Sequence, residues 1–95
     1  MKNCIAERKL VFIVKETGES KDLTIRIGTP CWLPDDELAS CPVEWDGLFE
    51  HFADAKGIDS LQAIHMASDI DPLLKLLQNK YDFYWPSGER YFGDE

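Results

Sequence analysis

No stretch of this chain is long and apolar enough to span a bilayer, so a helical membrane protein is not expected. Histidine is scarce, with two residues, and the three cysteines form no Cys-x-x-Cys pair. A zinc site would need Cys31, Cys41, His51 and His65 to converge from distant positions, which is poor ligand spacing. A glycine-rich phosphate loop is also missing. The opening residues, Met1 to Arg8, hold no uninterrupted apolar segment, so no secretory signal is read there. Three cysteines cannot all pair within one chain. Reduced thiols in the cytoplasm are therefore expected rather than a disulfide framework. Basic charge is in short supply too. Ten Lys/Arg face eighteen Asp/Glu, for a net charge of −8.

That charge is unevenly placed. Residues 1–30 carry +2, residues 31–74 carry −9 with Lys56 as their one cation, and residues 75–95 carry −1. A polyanion is a poor match for such a chain, which argues against nucleic acid and anionic membranes as partners. A basic protein partner is permitted, and a homodimer is not excluded. The plain alternative is that the charge keeps the protein soluble. Ninety-five residues make a single domain, residues 1–95, with ordinary apolar content for a globular core.

Residues 4–15 alternate. Cys4, Ala6, Leu10, Phe12 and Val14 point one way, while Glu7, Lys9 and Lys15 point the other. This is a strand pattern. Val11 and Ile13 make its second half apolar on both faces, as in a central strand. A turn signal follows at Glu16–Ser20. Leu23, Ile25 and Ile27 then alternate with Thr24 and Arg26, which predicts a β-hairpin. Pro30, Pro34 and Pro42 preclude long regular elements across residues 28–42. One helical turn is expected at 35–39, with Trp32 and Leu33 folding back onto the core. Val43 and Trp45 suggest a third short strand, and residues 48–55 read equally as strand or short helix. From Asp59 the apolar residues Leu61, Ile64, Ala67, Ile70, Leu73, Leu74 and Leu77 recur at helical spacing. A helix over about 59–79 is predicted, broken or kinked near Pro72. Phe83 to Trp85 reads as a last strand.

Gly57-Ile58-Asp59-Ser60-Leu61-Gln62-Ala63 admits two readings. Asp-Ser-Leu at a helix start resembles the attachment site of acyl and peptidyl carrier proteins. That resemblance implies a phosphopantetheine arm on Ser60 and a four-helix bundle around it. The strands upstream do not suit a bundle. The second reading accounts for each residue. Asp59 is a helix N-cap, Gln62 completes a capping box, and Ile58 and Ala63 occupy hydrophobic-staple positions. Gly57 lets the chain turn into the helix.

Ile5-Ala6-Glu7-Arg8, Arg26-Ile27-Gly28-Thr29-Pro30, Cys41-Pro42-Val43, Gly47-Leu48, the 57–63 stretch with Met66-Ala67, and the terminal Trp85 segment together resemble a family of small bacterial domains of unknown function. The resemblance spans most of the chain. It implies a stand-alone α+β domain in which Asp-Ser-Leu-Gln-Ala opens the helix on a sheet. It brings no established activity, so no catalytic residues transfer.

Arg8 falls on the otherwise apolar face of the first strand. If buried there, it needs a carboxylate partner, expected from the acidic central segment. His65 flanks the apolar stripe of the helix and reads as a partly buried structural residue. Asp35, Asp36 and Glu37 lack the spaced ligands of a calcium loop and read as a solvated turn. Aromatics are numerous, and Tyr91 and Phe92 are the strongest candidates for an exposed contact patch. No acid, base and nucleophile stand at readable spacing.

The expectation is thus an α+β domain. A mainly antiparallel three- to four-stranded sheet, opening with a β-hairpin, is covered on one face by the helix. The expected function is a non-enzymatic protein-interaction module without cofactor, metal or catalytic residues. Its surface would include Asp35, Asp36, Glu37, Tyr91 and Phe92. The alternative is a phosphopantetheine carrier modified at Ser60.

Overall fold

The computed structural model describes residues 3–48 and 50–93. Phe49, within the ambiguous 48–55 segment, lies outside the described residues. The chain is α+β, with seven strands among the described residues. They are β1 (Cys4–Val14), β2 (Ser20–Gly28), β3 (Cys31–Leu33), β4 (Leu38–Cys41), β5 (Val43–Asp46), β6 (Ala55–Gly57) and β7 (Tyr81–Tyr84). Between β6 and β7 come α1 (Ser60–Ser68), α2 (Asp71–Leu76) and a 3-10 turn, Leu77–Asn79.

The strands make two antiparallel sheets. The larger runs β5-β2-β1-β7 and the smaller β3-β4-β6. β1 takes a central place because both its edges pair, with β2 on one side and β7 on the other. Register then decides which side chains share a face. Leu10 lies opposite Leu23, Phe12 opposite Phe83, Val14 opposite Tyr81, and Ile25 opposite Trp45. These residues form one buried face, and Ile70, Leu74 and Leu77 from the helical half complete its core. The opposite face carries Glu7, Lys9, Val11, Ile13, Thr24, Arg26, Glu44 and Asp46. Its polar residues explain why water rather than a helix meets it.

The smaller sheet was not foreseen. Its core joins Ile27, Ala39 and Cys41 to Ala63 and Ala67 of α1. The two small alanines bring α1 close to the strands, and Gly57 brings it closer still. A methyl at Gly57 would sit 2.5 Å from the Ala63 amide nitrogen, so the first turn of α1 rests on a bare backbone. The sheets meet where the Gly28 amide donates to the Pro42 carbonyl at 2.9 Å.

Two local expectations are corrected here. Residues 35–39 form no helical turn. Asp36 N–H donates to Leu33 O and Glu37 N–H to Pro34 O, closing a tight turn that leads straight into β4. Trp32 does not fold back onto the core. It sits on the edge strand β3 and is 55% exposed. Among the described residues, no helix is long and apolar enough to cross a membrane.

Glu37 is the one described non-glycine residue at positive φ, 53°. An L-residue with a Cβ is strained there. Glu37→Gly is expected to raise stability by up to about 1 kcal/mol, and a β-branched Glu37→Val to lower it by about 1 kcal/mol or more. Urea midpoints at unchanged m-value measure both.

Candidate functional site

The start of α1 is a capping site. Asp59 has extended backbone, and its Oδ1 accepts from the Gln62 amide at 2.8 Å. Gln62 reaches back, its Oε1 accepting from the Ile58 amide at 2.7 Å. This is the capping-box exchange displaced by one residue, since the usual donor of the return bond is the cap residue's own N–H. Ile58 does not form a staple. It is 71% exposed and Leu61 76%, so the outer surface of this turn is apolar. Ser60 is exposed at the first position of a nine-residue helix, with strand β6 just before it. The mixed α+β setting is not the bundle that a carrier implies.

Arg8 shares the core face of β1, opposite Ile25, but lies where that face opens to solvent. Its Nη1 donates to the Tyr91 hydroxyl at 2.7 Å, and its guanidinium stands 5.3 Å from the Trp85 ring and 5.8 Å from the Tyr91 ring. Tyr91 passes the contact on, donating to Asp71 Oδ1 at 2.5 Å. The expected buried Arg8–acid pair is therefore replaced by an exposed arginine on two aromatic rings, with a phenol between it and the carboxylate. Burial pushes the Tyr91 phenol above its ordinary value, and the bond to Asp71 adds to this. Tyr91 thus stays a neutral donor. Tyr91 and Phe92 are half-buried against the larger core, with their rings edge to face at 5.0 Å.

Asp35, Asp36 and Glu37 are all exposed at the tip of the β3–β4 hairpin. Trp32 stands on the strand leading into that tip, across from Ala39. No contact among the described residues joins this group to Tyr91 and Phe92. The exposed Trp32 is the feature that reading the sequence missed.

On the uncovered face of the larger sheet, Arg26 meets three carboxylates. It lies 2.6 Å from Glu44, 3.2 Å from Asp46 and 3.5 Å from Glu7. Hydrogen bonds to Asp46 and Glu44 raise its pKa further. The arginine ties three strands together and fills what would otherwise be an acidic site.

Glu50 reaches the core from the loop before β6. It accepts from the Tyr81 hydroxyl at 3.0 and 3.1 Å and from Lys80 Nζ at 3.4 Å. Burial alone would raise its pKa. Its own backbone N–H, Tyr81 and Lys80 outweigh burial and bring it below the ordinary 4.5.

Cys4 and Cys31 are exposed, whereas Cys41 is buried with Sγ donating to Gly28 O at 3.4 Å. Burial raises the Cys41 thiol, with smaller contributions from Asp54 and Cys31, which keeps it protonated. No group of three or more His, Cys, Asp or Glu among the described residues could hold a metal ion. His65 is exposed rather than partly buried. Comparison with family models, with curated proteins and with solved structures finds no match.

Two tests follow from this geometry. Asp59→Ala is expected to cost about 1 kcal/mol. Ser60→Ala should change stability by less than about 0.5 kcal/mol, and the intact mass after co-expression with a broad-specificity phosphopantetheinyl transferase should be unmodified. A mass gain lost in Ser60→Ala would reverse the reading of this helix start.

Because the Glu50 pKa is lowered on folding, its contribution is fully present above about pH 4.5 and lost as pH falls below that value. Melting curves of wild type and Glu50→Gln should therefore converge on acidification. A constant gap between them would remove Glu50 from the acid limb.

Proposed function

We propose that this chain is a non-enzymatic protein-interaction domain. Its docking surface is the β3–β4 hairpin, and its partner is an extended basic protein segment. The observation that carries the reading is an exposed tryptophan on an edge strand beside three exposed carboxylates. Tryptophan is among the residues that dominate binding energy at interfaces, and its ring face attracts Lys and Arg. Asp35, Asp36 and Glu37 supply complementary charge, which governs encounter rate and partner choice more than tightness. β3 has β4 on one side only, so an extended segment can add along its other edge by main-chain hydrogen bonds. The strained backbone of Glu37 fits a functional turn.

The motif resemblance to small bacterial domains belongs to the same proposal and brings an α+β domain with no established activity. Unpaired thiols fit a reducing, cytoplasmic setting. Tyr91 and Phe92 serve this reading as packing for the C-terminal segment, not as its surface. A second reading, a phosphopantetheine carrier, rests on the exposure of Ser60 at the start of α1. The short helix and the surrounding strands weigh against it.

An arginine-rich extended peptide is the direct probe, followed by two-dimensional amide NMR. Shifts are expected to cluster over residues 31–41 and the Trp32 indole. Trp32→Ala should weaken binding by about tenfold or more. The combined Asp35→Asn, Asp36→Asn, Glu37→Gln variant should bind more slowly and with less salt dependence. A shift map centred on Glu44 and Asp46, or unchanged affinity in Trp32→Ala, overturns the proposal.

A further inference from the structure

The two hydrophobic cores do not meet flush. Ile25 and Ile70 belong to the larger and Ile27 to the smaller. At their seam lies an open pocket of about 140 Å³, lined by the apolar Ala6, Ile25, Ile27 and Ile70 together with Glu7, Arg8 and Ser68. Its floor follows from strand register. Ala6 lies opposite Ile27 and Arg8 opposite Ile25, which places all four on one face. Its roof follows from the helical half, since Ser68 ends α1 and Ile70 directly precedes α2. A slot with mostly apolar walls thus has an arginine among its lining residues.

That guanidinium is held in place but not used up. Its bond to Tyr91 engages one of five N–H donors, and the Trp85 and Tyr91 rings stand 5.3 and 5.8 Å from it. Asp71 and Glu7 are both engaged elsewhere. Asp71 takes the Tyr91 hydroxyl, and Glu7, which also borders the pocket, turns its carboxylate to Arg26 on the opposite face of the sheet. Arginine presents a fork that matches a carboxylate with two parallel hydrogen bonds. An apolar cavity of ~150 Å³ accepts a guest the size of benzene.

We propose that this pocket binds a small monocarboxylate whose apolar body is no larger than one aromatic ring. The carboxylate sits on Arg8, and the body lies against Ala6, Ile25, Ile27 and Ile70. Tyr91 is a positioning residue, anchoring Arg8 through its hydroxyl. The site is separate from the β3–β4 hairpin and stands or falls independently of the interaction reading.

Benzoate is the probe, titrated into the intact chain and followed by amide NMR, with benzyl alcohol as its uncharged counterpart. Benzoate is expected to bind with a Kd on the order of millimolar, shifting Ala6, Arg8, Ile27, Ser68 and Ile70. Benzyl alcohol should bind at least about tenfold more weakly. Arg8→Met, which keeps the aliphatic stem, should lose the preference for the acid. Ala6→Leu should block both compounds by filling the slot. Tyr91→Phe should weaken benzoate but not benzyl alcohol. Equal affinity for the two compounds, shifts outside this set, or no shift at all with benzoate overturns the proposal. The comparison of the two compounds on wild type decides the matter even where a variant fails to fold.

Discussion

The constraint on which the larger core turns is the burial of Leu74 in one cluster with Leu10 and Phe12 of β1 and Leu23 and Ile25 of β2. Leu74 is fully buried, as are Leu10, Leu23, Ile25 and Phe12 within two per cent. A side chain in such a position touches many neighbours, and trimming it leaves a cavity that rigid strands cannot close. Ile70 and Leu77 lie one helical turn to either side of Leu74 and extend the same contact. Because this helical half covers one face, the other face must be polar. Because α1 then has to follow the chain out of β6, its small residues Ala63 and Ala67 set how near the second sheet can come.

β2 links the two cores. Its Leu23 and Ile25 serve the larger and its Ile27 the smaller. The seam between them lies one residue pair along the strand, and the Arg8 pocket occurs there. The charged features obey the same geometry. Arg26 gathers three carboxylates on the uncovered face, where water is the competing partner. The acidic tip at Asp35–Glu37 stands at the end of the smaller sheet, clear of both cores. Proposed partner binding and proposed ligand binding therefore use different ends of one framework, and neither requires the core to move.

Much of the framework is readable from residue order. Alternation over 4–15 and 23–27 is strong because each strand is long enough to show several periods and one face is buried. Asp59 and Gln62 are legible because capping is local chemistry. The second sheet is not legible. Its strands have three or four residues, bounded by Pro30, Pro34 and Pro42, and so short a run shows no period. Trp32 was misplaced for the same reason. A large aromatic is usually buried, and only the edge position of β3 shows that this one is not. Arg8 was correctly placed on the apolar face, yet its partners Tyr91 and Trp85 come from more than seventy residues away. Pairing at that distance is set by tertiary structure, and no local pattern announces it. Tyr91 and Phe92, read as a surface patch, are half-buried because the segment after β7 turns back. Tyr91 N–H donates to Phe83 O, and Trp85 N–H to Glu89 O.

The placement of the three tryptophans tests this account most directly. Trp32 is more than half exposed, Trp45 is buried at 7%, and Trp85 is intermediate. A soluble paramagnetic agent added to the protein broadens indole N–H signals in order of their access to solvent. The account predicts that the signal absent from Trp32→Phe broadens first and that of Trp45 last. If the Trp32 indole were instead protected like that of Trp45, the hairpin would be folded onto the core and the exposed anchor would not exist.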